Sequence, residues 1–140
     1  MTPTQRHRRG FTLIEIMLVV IIIGVLAAMV VPRLAKRTEQ AKLARAQADI
    51  NANLSIALDL FELDNGRYPT TQEGLVALEQ SPPGLESWQG PYLKKRVPAD
   101  PWGKPYVYRA PGDHNTEDYD LLSMGRDGVE GGGDDITNWD

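Results

Sequence analysis

The 140-residue sequence contains no cysteine and only two histidines, His7 and His114. Without cysteine, a small domain in an oxidising compartment has no disulfide to staple it. Zinc and copper lose their preferred ligands, and with His7 near the N-terminus and His114 by itself no Ser-His-Asp or Cys-His set is available. His114 stands alone in a turn and reads as a solvated loop residue. Basic residues are in deficit, 15 against 19 acidic ones for a formal net charge of −4, which argues against nucleic acid as the main partner. Internal repeats and low-complexity linkers are absent, and the length leaves room for one small domain and no second core.

What the chain does have is a long apolar run, Phe11 to Val31, interrupted by a single charge at Glu15. Roughly 20 apolar residues in a helix cross the ~30 Å hydrocarbon core of a bilayer. A carboxylate inside it costs about 2.5 to 3.5 kcal/mol on insertion scales, so Glu15 needs a partner. The run contains no Lys, Arg or His, which leaves another chain or a newly made amine. A cut between Gly10 and Phe11 would free such an amine one helical turn from Glu15. In a helical array the Phe11 amine of one subunit could then neutralise Glu15 of the next. The plainer alternative is that Glu15 snorkels to the headgroups. A secretory signal peptide cut near Val25-Leu26-Ala27 is a further rival, opposed by the apolar residues that continue through Val31.

The residues Arg8-Arg9-Gly10-Phe11-Thr12-Leu13-Ile14-Glu15 resemble the type III signal of type IV pilins and pseudopilins. The resemblance implies cleavage after Gly10 by a prepilin peptidase, N-methylation of Phe11, and a role in assembly for Glu15. Removing the leader arginines Arg6, Arg8 and Arg9 takes the charge from −4 by three to −7. Those arginines also orient the span by the positive-inside rule, with the C-terminal domain outside, in the periplasm of a Gram-negative cell.

Beyond the span, Pro32 and Gly24 predict a kink or melted turn in one long helix that continues through good helix formers to Asn65. Some 50 residues at 1.5 Å each would reach roughly 80 Å. Ile50, Leu54, Ala57, Leu58 and Phe61 form an apolar stripe for core packing, with Asp49, Asn53, Asp59 and Glu62 largely off it. Gly66 caps the helix, and Thr70 with Glu73 fits a capping box opening a short helix to Gln80. Tyr106–Tyr108 and Tyr119–Ser123 are strand candidates, and Tyr92, Trp102, Tyr106 and Tyr108 read as core rather than as a ligand platform.

Near the C-terminus, Arg126 to Asp135 carries four carboxylates on a glycine-rich loop. Calcium takes six to eight oxygens at about 2.3 to 2.6 Å, and glycines let a chain aim several carbonyls at one point. The spacing is not that of an EF-hand, so the residues alone leave a calcium loop and a solvated acidic tail level.

The segments Leu63 to Thr71, Asp100 to Tyr106 and Gly125 to Gly128 narrow the resemblance to the major pseudopilins of type II secretion systems, the general secretion pathway protein G family. That family implies an α+β, pilin-like fold: a long N-terminal helix packed on a small antiparallel sheet with a calcium loop. The expected organisation is a cleaved leader 1–10, a transmembrane and assembly helix 11–31, the periplasmic half of the helix 32–65, and a globular domain 66–140. By position, the family's Ca2+ would take side-chain oxygens from Asp127, Asp134 and Asp135 and carbonyls from Met124 and Val129. The expected role is non-enzymatic: a homopolymer forming a periplasmic pseudopilus that helps export folded proteins. Its expected partners are minor pseudopilins, the inner-membrane secretion platform and the prepilin peptidase. A type IV pilus or DNA-uptake subunit, and a membrane-anchored calcium-dependent binding module, are the competing readings.

Overall fold

The computed structural model of the chain describes residues 10–139, apart from the side chains at 32 and 33. The leader arginines and His7 therefore lie outside the described residues. The chain divides into two compact units, one ending at Glu39 and the other beginning at Gln40.

The first unit is helical from Leu13, the start of α1 (Leu13–Ala48). No turn is melted at Gly24 or Pro32, where the sequence predicts a weak point. One missing proline donor removes one hydrogen bond, and good helix formers on both sides carry the helix past it. Its apolar side chains are exposed throughout, from Phe11 at 80% to Val31 at 62%. An 18-residue window here has mean hydropathy 3.0, long and apolar enough to cross a membrane.

The irregularity comes later. The helix passes into a π-helical segment, Asp49–Leu54, before α2 (Ser55–Asn65). Buried Ala46, Ile50, Leu54 and Leu58 are spaced by four. On a regular helix of 3.6 residues per turn, three such steps would carry the stripe about 120° around the axis. The wider π turn absorbs that drift and keeps the stripe on one face. It also turns Asp49 inward, against its expected place off the stripe, where it is 7% exposed. The buried carboxylate accepts hydrogen bonds from the Tyr106 hydroxyl at 3.0 Å and the Asn53 amide at 2.7 Å, with Arg45 Nε at 3.7 Å. Gly66 caps α2 at φ +68°, as its position after Asn65 predicts.

The Thr70–Glu73 capping box forms in both directions, Thr70 N–H to Glu73 Oε2 at 2.8 Å and Glu73 N–H to Thr70 Oγ1 at 3.2 Å. No α-helix follows it. Gly74 leaves the helical region at φ +61°, ψ −170°, and only a 3-10 turn, Leu75–Leu78, forms beyond.

Three short strands complete the second unit: β1 (Val107–Arg109), β2 (Asp120–Ser123) and β3 (Ile136–Thr137), antiparallel in the order β1-β2-β3. The register pairs Tyr108 with Leu121, Arg109 with Asp120, and Ser123 with Ile136. Since side chains alternate along a strand, Tyr108, Leu121 and Ile136 face the helix core with Leu54, Leu58 and Phe61. Arg109, Asp120, Leu122 and Thr137 lie on the other face. Each fully buried large apolar side chain stabilises by about 1.5–3 kcal/mol, so Ile50, Leu54, Leu58 and Phe61 are the principal glue between helix and sheet. The aromatics behave as core: Tyr106 and Tyr108 are buried, and Tyr92 meets Phe61 edge-on at 5.5 Å.

Candidate functional site

Two places carry the residues singled out by the sequence, and they lie in different units. At the helix start, Gly10, Phe11 and Thr12 precede α1 in non-helical backbone, and Phe11 is exposed. Glu15 is not without a partner in the single chain. Thr12 N–H donates to Glu15 Oε2 at 3.3 Å and Glu15 N–H donates to Thr12 Oγ1 at 3.2 Å, a reciprocal capping box. Its signature, Thr-x-x-Glu before an apolar run, stands in the sequence, but the reading of Glu15 as a membrane charge passed over it.

The acidic loop lies between β2 and β3 and is folded around its own aspartates. Asp134 Oδ2 accepts the N–H groups of Arg126 at 2.8 Å and Asp127 at 3.1 Å. Asp127 Oδ1 accepts Val129 N–H at 2.8 Å, and Asp135 Oδ2 accepts Gly131 N–H at 2.7 Å. The backbone donors, Asp127 N–H first, hold the Asp134 carboxyl below its usual range. The carbonyls of Met124 and Val129 each accept one turn hydrogen bond, from Gly128 and Gly132 at 3.1 Å. A Cβ at Gly132 would overlap the Asp127 carboxylate, which would have to shift to make room for it.

Among the described residues, no group of three or more His, Cys, Asp and Glu side chains converges as a metal cluster. Asp127 turns one oxygen to its own loop's backbone instead. Asp134 Oδ1 and Asp135 Oδ1 are buried and have no hydrogen-bond partner. A buried carboxylate oxygen left without a donor is costly, and a hard cation with oxygen ligands is the group that fits it.

The loop lies near the sheet's outer face. A cleft of about 340 Å³ is lined by His114, Leu122, Glu130, Asp135, Thr137 and Trp139, among others. His114 is more than the solvated residue the sequence suggests. Its ring stacks on Trp139 at 4.1 Å, and its Nδ1 lies 3.1 Å from Oδ2 of Asp120, whose side chain is fully buried. His114 N–H and Asn115 N–H also donate to Asp120, each at 2.9 Å.

Residues 33–139 match the protein family described as Type II secretion system (T2SS), protein G, and residues 5–31 match the Prokaryotic N-terminal methylation motif. The chain is 50% identical over 142 residues to a protein named Type II secretion system core protein G from Pseudomonas aeruginosa, covering 97% of this chain and 98% of that one. It is 51% identical over 135 residues to the protein of the same name from Escherichia coli K12, covering 94% and 91%. Among solved structures it resembles the major pseudopilin from the type 2 secretion system of enterohaemorrhagic Escherichia coli, with TM-score 0.66 and 38% identity over 76% of this chain and 89% of that one. Leader motif, apolar helix and helix-on-sheet domain thus all agree, and the chain belongs to the type II secretion system protein G family.

Proposed function

We infer that the chain is the major structural subunit of the pseudopilus of a type II secretion system, polymerising through its N-terminal helix. The observation that carries this reading is the apolar surface of α1: Ile14 to Val31 expose their large side chains by about half or more. Such a surface needs lipid before assembly and other copies of the same helix after it. The protein G family to which the chain belongs is a structural one. The finer steps form one consistent sequence. The arginine-rich leader keeps the N-terminus on the cytoplasmic side of the inner membrane and the domain in the periplasm. A prepilin peptidase cuts after Gly10, which lies outside the helix and is exposed, and methylates the Phe11 amine. Glu15 then exchanges its contact with Thr12 for the Phe11 amine of the next subunit, which sets register and removes a lone charge from the apolar bundle. Minor pseudopilins and the inner-membrane platform are the other components the filament meets, and its extension helps folded proteins across the outer membrane.

Calcium belongs to the same reading. Asp127, Asp134 and Asp135, with the carbonyls of Met124 and Val129, would hold it, and the unpartnered Asp134 and Asp135 oxygens support that choice. Bound there, it supplies the cross-link that the absent cysteines cannot.

The test is Glu15→Leu. The variant is expected to insert in the membrane and be cleaved at Phe11, read by intact mass and N-terminal sequencing, yet fail to form filaments by electron microscopy. Normal filaments from it would sink the pairing argument, and a mature start near Ala28 would sink the processing scheme.

A further inference from the structure

The acidic loop is gripped from outside by side chains that precede it in the chain. Arg109, the last residue of β1, lies on the sheet's outer face and forks onto Glu130, Nη1 to Oε1 and Nη2 to Oε2, both at 2.7 Å. Lys104 Nζ donates to the Gly128 carbonyl at 3.2 Å. Glu130 lies between Val129, whose N–H holds Asp127, and Gly131, whose N–H holds Asp135. After it come the consecutive glycines Gly131 to Gly133, the backbone with the most freedom to lose on ordering. A contact at Glu130 therefore restrains the loop at the point from which its aspartates diverge.

We propose that the Arg109–Glu130 fork is a latch that sets the cation affinity of the acidic loop by holding it in its binding shape. This rests on the reading of the loop as a calcium site. Arg109 and Glu130 are positioning residues in this reading: Glu130 is engaged at both oxygens by the guanidinium, and the cation's ligands come from the three aspartates and the two carbonyls. The paired charges also cancel, so the latch adds little net field to the three aspartates. A bidentate guanidinium–carboxylate pair suits the task through its fixed geometry. Both partners are part-exposed, with side chains 32% and 45% accessible, which keeps the expected effect modest.

The sign of two substitutions separates a latch from simple electrostatics. Calcium is titrated calorimetrically into the full chain in detergent, for wild type, Arg109→Ala, Glu130→Ala, the double variant and the charge-reversed pair Arg109→Glu/Glu130→Arg. A latch predicts that each single variant binds calcium about three- to five-fold more weakly. The double variant is then no weaker than either single one, and the reversed pair regains part of the loss. Limited proteolysis in excess chelator is expected to cut the loop of Arg109→Ala faster than that of wild type, with no metal involved. If Arg109→Ala tightens binding while Glu130→Ala weakens it, charge alone is at work and the latch is overturned, as it is if all variants bind alike. A wild-type chain that takes up no calcium would instead overturn the calcium reading beneath it.

Discussion

Glu73 is tied to Arg67 by two hydrogen bonds of 2.7 and 2.8 Å, and its Oε2 also accepts the Thr70 N–H. The guanidinium, ahead of the Thr70 donors, pushes the Glu73 carboxyl from 4.5 down to about 2. A carboxyl depressed in the folded state stabilises above its unfolded value and loses that contribution as pH falls. The window here runs from about 4.5 down to about 2. Arg67 is 40% exposed, so solvent screening limits the pair to about 1 kcal/mol. Arg67→Met is therefore expected to be less stable than wild type at pH 7 and to converge on it by pH 2, measured by urea unfolding of the detergent-solubilised chain. Parallel curves would show that the pair contributes nothing to acid sensitivity. The Thr70-x-x-Glu73 spacing was visible in the sequence. Arg67 as the third member was not, because the turn at Gly66 to Pro69 that brings it back is a matter of backbone path. His114 and Trp139, stacked across 25 positions, were hidden for the same reason.

At the scale of elements, the long helix was legible because its propensity and apolar spacing agree over more than fifty residues. The place where it departs from α geometry was not. Proline and glycine pointed to Pro32, yet the departure lies at Asp49–Leu54, where the spacing of buried residues lags the helical period. The sheet requires that face to stay in place, and the π segment answers it. Asp49 is the polar pin of this arrangement. Asp49→Ala removes the acceptor of both the buried Tyr106 hydroxyl and Asn53, and is expected to destabilise by about 2 kcal/mol, with Tyr106→Phe costing about 1 kcal/mol. The double variant should cost less than the sum, since the two share one contact. Thermal unfolding of the three variants measures this, and additive losses would mean that the Asp49–Tyr106 hydrogen bond is not what pins the segment. The 3-10 turn after Gly74 is the reverse case, with a valid start signal overridden one residue later by a glycine at positive φ.

For the whole molecule, stability depends on a small helix-on-sheet core and on whatever closes the acidic loop. A ligand at about a hundredfold over its dissociation constant adds about 2.7 kcal/mol by mass action. For a domain of this size that corresponds to a change in Tm on the order of 10 °C. Chelation of the native chain should produce such a drop. Asp127→Ala should match wild type in chelator and fall well below it in calcium. An equal deficit in both conditions would show that Asp127 acts on the fold without metal. Assembly belongs to this scale too, since the exposed face of α1 has no use within one chain.

The sequence by itself determined what depends on local order: the extent of the apolar helix, the basic residues before Phe11, the caps at Gly66 and Thr70, and the gathering of aspartates on a glycine loop. Each follows from neighbours within a few positions, where propensity, spacing and charge are read directly. Only the tertiary structure decided what depends on chain path. It turned Asp49 inward, added β3 to the sheet, and left oxygens of Asp134 and Asp135 buried without donors. It also laid Arg109 against Glu130, twenty-one residues away. These contacts exist because burying the stripe from Ile50 to Phe61 fixes the sheet, and the sheet fixes which distant loops meet.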